Sequence, residues 1–214
     1  MDEDEFTKDI RALSKKAKWD EKPLLSLLKK YDVTPEMLLQ RMTNIFPKHF
    51  GIKDLFFLRL YGESDLKSYR MTKELHLSQL HNPHANVRNE HYCRRWISIN
   101  IIKRLRASRS NHPIADAQIS TYWQTTNEYL CLSIAKPSPS SSKGSVSVTI
   151  GLMLTDQIQK LFGFLNDPDL KRKEVNTTCE RCSMPNCGAR AIPPIVIEES
   201  EKRQMILDAL KELD

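Results

Sequence analysis

The sequence predicts an α+β fold, in which a small helical segment precedes an antiparallel sheet with flanking helices. Over the first fifty residues, apolar side chains recur every three or four positions, as they do along one face of a helix. From residue 54 onward, short apolar runs and period-two alternation replace that pattern, as in half-buried strands. The chain has 214 residues, 40% of them hydrophobic and 28% charged, which is enough to bury a core.

Three helices are predicted within residues 1–50. Phe6, Ile10 and Leu13 mark the first by their spacing. Pro23 opens the second, in a first-turn position where its missing N–H has no cost. Thr34, followed by proline and glutamate, combines a capping residue, a first-turn proline and a dipole-compatible acid at the start of the third.

Strands are predicted at residues 55–61, 118–124, 128–135 and 146–154. The middle two flank Thr125-Thr126-Asn127, which has the composition of a hairpin turn. The last strand shows the cleanest alternation of apolar residues, and the Ser- and Pro-rich segment 137–144 before it predicts a mobile loop. Helices are predicted at 156–165 and 198–213, the second with one apolar face made of Ile206, Ala209, Leu210 and Leu213.

Composition and charge exclude several classes of protein. Six glycines among 214 residues, about 3%, argue against glycine-rich phosphate loops and dinucleotide-binding folds. The net charge of +6 suits an anionic partner. No apolar run approaches a membrane span, and the acidic start at residues 1–5 is the opposite of a signal peptide. We therefore expect a cytoplasmic protein without a membrane partner, whose cysteines are reduced or metal-bound.

Three cysteines close together predict a metal site. Cys179, Cys182 and Cys187 follow the spacing C-x2-C-x4-C, which lets two thiolates face one cation and brings a third nearby. Thiolates suit a soft or borderline metal. Cys93 is the predicted fourth ligand and His91 the alternative. The fifth cysteine, Cys131, lies in an apolar strand and is expected to behave as a small buried hydrophobe.

The spacing leaves the identity of the metal open. Two paired C-x2-C motifs would favour zinc, and this chain has one such motif. Three clustered cysteines with a distant fourth also hold 4Fe–4S clusters. The alternative without a metal is a set of unrelated free thiols, which would be prone to oxidation at such close spacing.

A basic segment predicts an anion site. Residues 94–109 contain six Lys or Arg and no acidic residue, interleaved with isoleucines and a leucine. The candidate ligand-binding residues are Arg94, Arg95, Arg104 and Arg106, since guanidinium groups bind phosphate oxygens through two hydrogen bonds. Two alternatives remain: a solvated face beside a buried one, or an interface with a nucleic-acid backbone.

A catalytic zinc site is not expected. His81 and His84, with Glu90 and His91, resemble the parts of a zinc hydrolase, but neither His-Glu-x-x-His nor its inverted form occurs. The inverted form would require a histidine where the chain has Val87. Nucleophile-elbow and phosphate-loop motifs are also missing from the sequence. We therefore expect no enzymatic activity.

The cysteine segment also carries a family resemblance. Residues 179–194, which read CERCSMPNCGARAIPP, resemble the C-terminal signature of the short-chain fatty-acyl transcriptional regulator family. These bacterial regulators join an XRE-type helix-turn-helix, an IrrE/ImmA-like domain and a C-terminal sensor. Residues 31–42 are similar to the helical end of the IrrE/ImmA-like domain, residues 55–60 to the first sensor strand, and residues 91–96 keep the cysteine and tryptophan of a Gly-x-Cys-Pro-Leu-Trp stretch. The likeness covers roughly residues 20–196.

The resemblance implies three parts and a regulatory function. Residues 1–50 would end an IrrE/ImmA-like domain, residues 51–196 would form a GAF/PAS-like sensor with the cysteine metal site, and residues 197–214 a C-terminal helix. The implied function is sensing of short-chain acyl-CoA or redox state by a homodimer, with DNA contacted through another domain absent from this chain. The alternatives are a structural-metal module for interaction or dimerisation, and nucleic-acid binding through residues 94–109.

Overall fold

The computed structural model describes residues 1–63, 65–77, 90–139 and 144–211. The helices are α1 (Glu3–Ser14), α2 (Glu21–Lys30), α3 (Pro35–Phe50), α4 (Ile97–Ser108), α5 (Asp156–Leu161), a 3-10 turn (Gly163–Asn166) and α6 (Ile195–Lys211). The strands are β1 (Leu55–Gly62), β2 (Tyr69–His76), β3 (Ile114–Tyr122), β4 (Glu128–Pro137), β5 (Ser145–Met153) and β6 (Lys171–Val175). They form one six-stranded sheet in the order β2-β1-β5-β4-β3-β6.

The α+β class is confirmed, whereas the expectation of a purely antiparallel sheet is wrong at one edge. Neighbouring strands from β2 to β3 pair antiparallel. The last strand, β6, pairs parallel with β3, from Gln118 opposite Lys171 to Tyr122 opposite Val175. After β5 the chain passes through α5 and the 3-10 turn, and this connection carries it to the far edge of the sheet in the direction of β3. The sheet is therefore mixed.

The first three helices cover one face of the sheet. Each begins with a side-chain cap, in which Asp2, Asp20 and Thr34 accept hydrogen bonds from first-turn backbone N–H groups. Gly51, in the left-handed region with φ of 65°, ends α3. Apolar residues of these helices, such as Phe6, Leu24, Leu38 and Phe46, share one core with Leu55, Ile119, Leu132 and Ile150 of the strands. Residues 1–50 and the sheet therefore fold around a common core.

Helix α4 covers the opposite face. Its residues Ile97, Ile101, Ile102 and Leu105 pack in a second cluster with residues of β1, β3 and β4. A buried polar contact lies between the layers, where the Ser98 hydroxyl is 2.9 Å from that of Thr149. The sequence analysis did not predict this helix and described only a basic segment with interleaved apolar residues. Isoleucines at 97, 99 and 101 fit the period of a strand as well as a helix, so the local pattern does not decide between them.

Two edge strands, β2 and β6, were also missed. Most of their residues are exposed and charged residues interrupt both strands, so neither shows the apolar alternation that predicts a strand. Edge strands commonly carry such charge, which discourages pairing with other chains. His81, His84 and Leu213, with residues 140–143 of the predicted loop, lie outside the described residues. In the part of the chain that is described, no helix has both the length and the apolar character to cross a membrane.

The close contact over Gly151 gives a test of the packing. Gly151 lies on β5 between Phe56 of β1 and Cys131 of β4. A Cβ at Gly151 would overlap the Phe56 ring. We expect Gly151→Val to lower the free energy of unfolding by about 1–3 kcal/mol, since the ring must leave its packed position. Urea unfolding measures the change.

Gly188 provides the control, because a Cβ added there meets nothing within 4 Å. Gly188→Ala should not lower the free energy of unfolding, because alanine fits there and restricts the unfolded chain. Equal stability of Gly151→Val and the wild type would contradict the packing described for β1 and β5.

Candidate metal centre

Two distant segments of the chain run side by side at the end of β6. The Cys93 N–H donates to the carbonyl of Thr177 at 3.1 Å, and the Cys179 N–H donates to the carbonyl of His91 at 2.8 Å. Between these bonds, Tyr92 and Thr178 form an isolated antiparallel bridge. The contact between residues 91–96 and the C-terminal cysteine loop, which a four-cysteine site requires, is therefore present in the backbone.

All four predicted ligands line one cavity. Cys93, Cys179, Cys182 and Cys187 surround a space of about 10 Å³, room for a single water-sized group. The first three are buried and Cys187 is half-buried. Cys131 lies apart, on β4, facing a different cavity beneath α4. The structure thus brings the predicted set together and leaves out the cysteine that was predicted to be a core residue.

The thiols line the cavity without a finished coordination shell. Among residues 1–63, 65–77, 90–139 and 144–211, no group of three or more His, Cys, Asp or Glu side chains is arranged so that it could hold a metal ion. Burial, with smaller contributions from nearby Cys179 and Cys182, raises the pKa of the Cys93 thiol to about 11. The donor set nevertheless fits a soft or borderline cation, which binds thiolates and compensates their charge.

Arg190 holds the C-x2-C turn in place. Its Nη1 donates to the carbonyls of Cys179 and Cys182, each at 3.1 Å, and its Nη2 donates to the carbonyl of Met184. The Cys182 N–H donates to the Cys179 carbonyl at 3.3 Å, which closes the turn. The Ala191 N–H donates to Cys179 Sγ at 3.4 Å. One guanidinium therefore sets the backbone of both turn cysteines.

Two carboxylates tie the same segments together from outside the cavity. Glu180 is buried and accepts from the backbone N–H of His91 at 2.9 Å, while the His91 ring Nδ1 lies 2.7 Å from the same carboxylate. Glu90 accepts from Arg181 at 2.8 Å and from the Thr178 hydroxyl at 2.8 Å. His91, the alternative fourth ligand, is thus turned toward Glu180 and does not line the cysteine cavity. The geometry favours Cys93.

Sequence reasoning did not find these supporting residues. Glu180 lies inside the C-x2-C motif, and Glu90 immediately precedes His91, the alternative fourth ligand. Both are therefore next to residues that the sequence analysis singled out. Their roles depend on a partner far away in the chain, which spacing does not reveal. Trp96 is a further example, because its indole Nε1 donates to the Asn176 carbonyl at 2.8 Å and its ring stacks on Tyr92.

The four arginines predicted to bind a ligand fall in two places. Arg94 and Arg95 line the cysteine cavity. The Arg94 side chain donates to the Lys67 carbonyl at 2.6 Å and lies over the Tyr69 ring. Arg104 forms ion pairs with Glu21 of α2 and Asp116 of β3, so it joins the N-terminal helices to the sheet. Arg106, half-buried on α4, does not line the cysteine cavity.

The space between α4 and the sheet is almost filled. The cavity there measures about 10 Å³ and is lined by mixed apolar and polar side chains, which include Phe56, Trp96, Ser98 and Tyr122. A group the size of one water fits in such a volume. A cavity of this volume is too small for an acyl chain.

Comparisons with protein-family models, with curated proteins and with solved structures give no match for this chain.

The Arg190 contacts give a test of the turn geometry. Because one charged side chain serves three carbonyls, we expect Arg190→Ala to open the turn and to speed thiol labelling of Cys179 and Cys182 by about tenfold in metal-free, reduced protein. Labelling by a disulfide reagent, followed by peptide mass spectrometry, measures each rate. Arg203→Ala, on the exposed helix α6, is the control. Unchanged rates in Arg190→Ala would show that the turn holds without the guanidinium.

The buried thiol of Cys131 predicts a pH dependence of stability. Burial raises its pKa from 9.0 to about 12. Below the pKa of the unfolded state, such a thiol is protonated in both states and does not change the free energy of unfolding. Above that pKa the unfolded state releases the proton first, so the free energy of unfolding falls as pH rises. We expect the wild type to lose about 2 kcal/mol more than Cys131→Val between pH 8 and 10.5. Urea unfolding across this range measures the difference; parallel pH curves for the two proteins would contradict it.

Proposed function

We propose that this chain is a metal-binding regulatory domain, in which Cys93, Cys179, Cys182 and Cys187 hold one metal centre. The observation that carries the proposal is the convergence of these four cysteines, from two distant segments, on one small cavity. Four sulfur donors suit zinc or an iron–sulfur cluster, and a cavity with room for one water-sized group favours a single ion. The metal-bound and metal-free forms would be the two states of such a regulatory domain, and a partner would distinguish them by their structure.

The local structure supports a role for the metal in folding. Between β6 and α6, residues 176–194 contain no helix and no strand apart from the single bridge at Thr178. This stretch contains three of the four cysteines. Hydrogen bonds from Arg190 and the contacts of the Glu180 and Glu90 carboxylates hold it in place. A metal bound here would contribute its binding free energy directly to the order of the segment.

The surroundings of the cavity suit an anionic centre. Four thiolates carry more negative charge than one divalent ion offsets, and Arg94, Arg95 and Arg190 line the same cavity. The Ala191 N–H already donates to Cys179 Sγ. Hydrogen bonds to the sulfurs tune the properties of thiolate-bound metals. When bound, zinc would supply a structural cross-link, and a cluster would supply a redox-active centre.

The wider sensor hypothesis has less support than the metal centre. A GAF/PAS-like sheet agrees with the five strands that pair antiparallel and with α4 lying across one face. The acyl-CoA hypothesis receives no support from the filled space beneath α4. Arg94 and Arg104 of the basic segment are engaged within the chain, which disfavours a nucleic-acid interface built on them. A domain whose regulation depends on its metal is therefore the function that the geometry supports best.

Metal analysis of anaerobically purified protein tests the proposal. We expect about one zinc per chain in a colourless protein, or iron and sulfide with a broad visible absorption band. Cys182→Ser should lose the metal and lower the melting temperature by several degrees, because a soft ligand is removed from the site. Elemental analysis, an absorption spectrum and a thermal melt provide the measurements.

Two control variants make the result specific. Cys131→Ser should keep full metal content, although an unpaired buried hydroxyl can cost about 1–3 kcal/mol of stability. His91→Ala should keep the metal, whereas Cys93→Ser should lose it. Anaerobic protein that carries neither zinc nor iron, or metal that survives Cys93→Ser and is lost in His91→Ala, would overturn the four-cysteine assignment.

A further inference from the structure

Helix α6 is attached to the described residues at its first turn, where the Val196 N–H donates to the Glu180 carbonyl, and beyond that turn its apolar side chains are exposed. None of the residues of Ile195–Lys211 is buried. Large apolar side chains lie in solvent along it, with exposed fractions of 69% for Met205, 61% for Ile206 and 55% for Leu210. An isolated helix of this length is marginally stable in water, and most helices gain stability by burying an apolar face. We therefore expect the apolar side chains of α6 to pack against another chain.

One side of α6 carries a line of residues that we call the seam. Ile195, Glu199, Lys202, Ile206 and Ala209 follow one another at intervals of four, three, four and three residues. Such intervals keep residues on one side of a helix, where a second helix can pack against them. Glu199 and Lys202 occupy adjacent positions in the middle of this line. Ile195 lies before them, and Ile206 and Ala209 follow them.

This order is complementary to itself in one orientation. If two copies of α6 pair antiparallel, with the twofold axis between residues 200 and 201, Glu199 of each copy lies opposite Lys202 of the other. Ile195 then lies opposite Ile206, also twice. A parallel pairing in register would place Glu199 against Glu199 and Lys202 against Lys202, and like charges at a seam oppose association.

We propose that α6 is a dimerisation helix, which pairs antiparallel with α6 of a second copy of this chain through two symmetry-related Glu199–Lys202 ion pairs. The contact is isologous and closed, so it stops at two chains. No cysteine lies in α6, so the interface itself contains no predicted metal ligand. A single helix pair is smaller than a standard protein interface of about 800 Å² per partner, so we expect a dissociation constant on the order of micromolar.

Charge reversal along the seam tests both the partner and the orientation. Glu199→Lys and Lys202→Glu each replace two attractions with two repulsions, because the twofold axis doubles every change. We expect each to raise the dissociation constant at least about tenfold. The double variant Glu199→Lys/Lys202→Glu restores opposite charges across the axis and should return within about threefold of the wild type. Sedimentation equilibrium of the full chain over a micromolar concentration series measures these constants.

The controls separate the seam from general charge effects. Glu201 is exposed and lies on the opposite side of the helix, so Glu201→Lys makes the same change of net charge and should leave the dissociation constant unaltered. Circular dichroism checks that each variant stays folded, since none of these positions is buried. Ile206→Asp should abolish the dimer.

Three results would overturn the proposal. The first is a wild-type chain that stays monomeric throughout the series, which would assign the apolar face to a different protein. The second is a dimer that persists in Ile206→Asp, which would place the interface elsewhere, as on the N-terminal helices. The third is a double variant as weak as the single ones, which would contradict the antiparallel orientation.

Discussion

Burial of the sheet on both faces is the constraint that places the other parts of the molecule. Nearly every residue of β4 and β5 is buried, so neither face of these central strands can be left to solvent. Helices α1 to α3 cover one face and α4 covers the other. Helix α4 begins at Ile97, and the segment before it, which contains Cys93, pairs with residues 177–179 just after β6. The candidate metal centre thus lies where the helix that covers this face meets the edge strand β6.

The cysteine cavity is assembled mainly by backbone contacts and charged side chains. The bridge at Tyr92 and Thr178 aligns the two segments, and Arg190 shapes the turn that carries Cys179 and Cys182. Glu180 is buried against His91, where a carboxylate without such hydrogen bonds would be costly. A frame built in this way can keep the thiols near one another before a metal binds. A bound metal would then draw the thiols into a coordination shell, which the described residues do not form by themselves.

The site and α6 are adjacent in the chain and in contact through the backbone. The Val196 N–H donates to the Glu180 carbonyl at 3.2 Å, so the first turn of α6 is attached to the cysteine turn itself. A change in the order of residues 179–190 would therefore alter the point from which the helix departs. If a metal binds at the candidate site, this contact links it physically to the surface that α6 presents.

The sequence by itself determined the elements whose signals are local. The alternation over residues 146–154, the caps at Asp2, Asp20 and Thr34, and the grouping of three cysteines each depend on neighbours within a few residues. The resulting strand and helices are present in the structure. Cys93, predicted as the companion to the trio, lines the same cavity as the other three cysteines.

Tertiary structure decided what depends on distant partners. It made residues 97–108 a helix, because its isoleucines could be buried only against the open face of the sheet. Pairing with β3 made a strand of the charged segment 171–175, in a parallel direction that no local pattern encodes. The candidate ligand Arg104 became a link between Glu21 and Asp116, while Glu180 and Arg190 became supports of the cysteine turn. Such roles arise because a buried charge requires partners, and only the folded chain determines which groups are within reach.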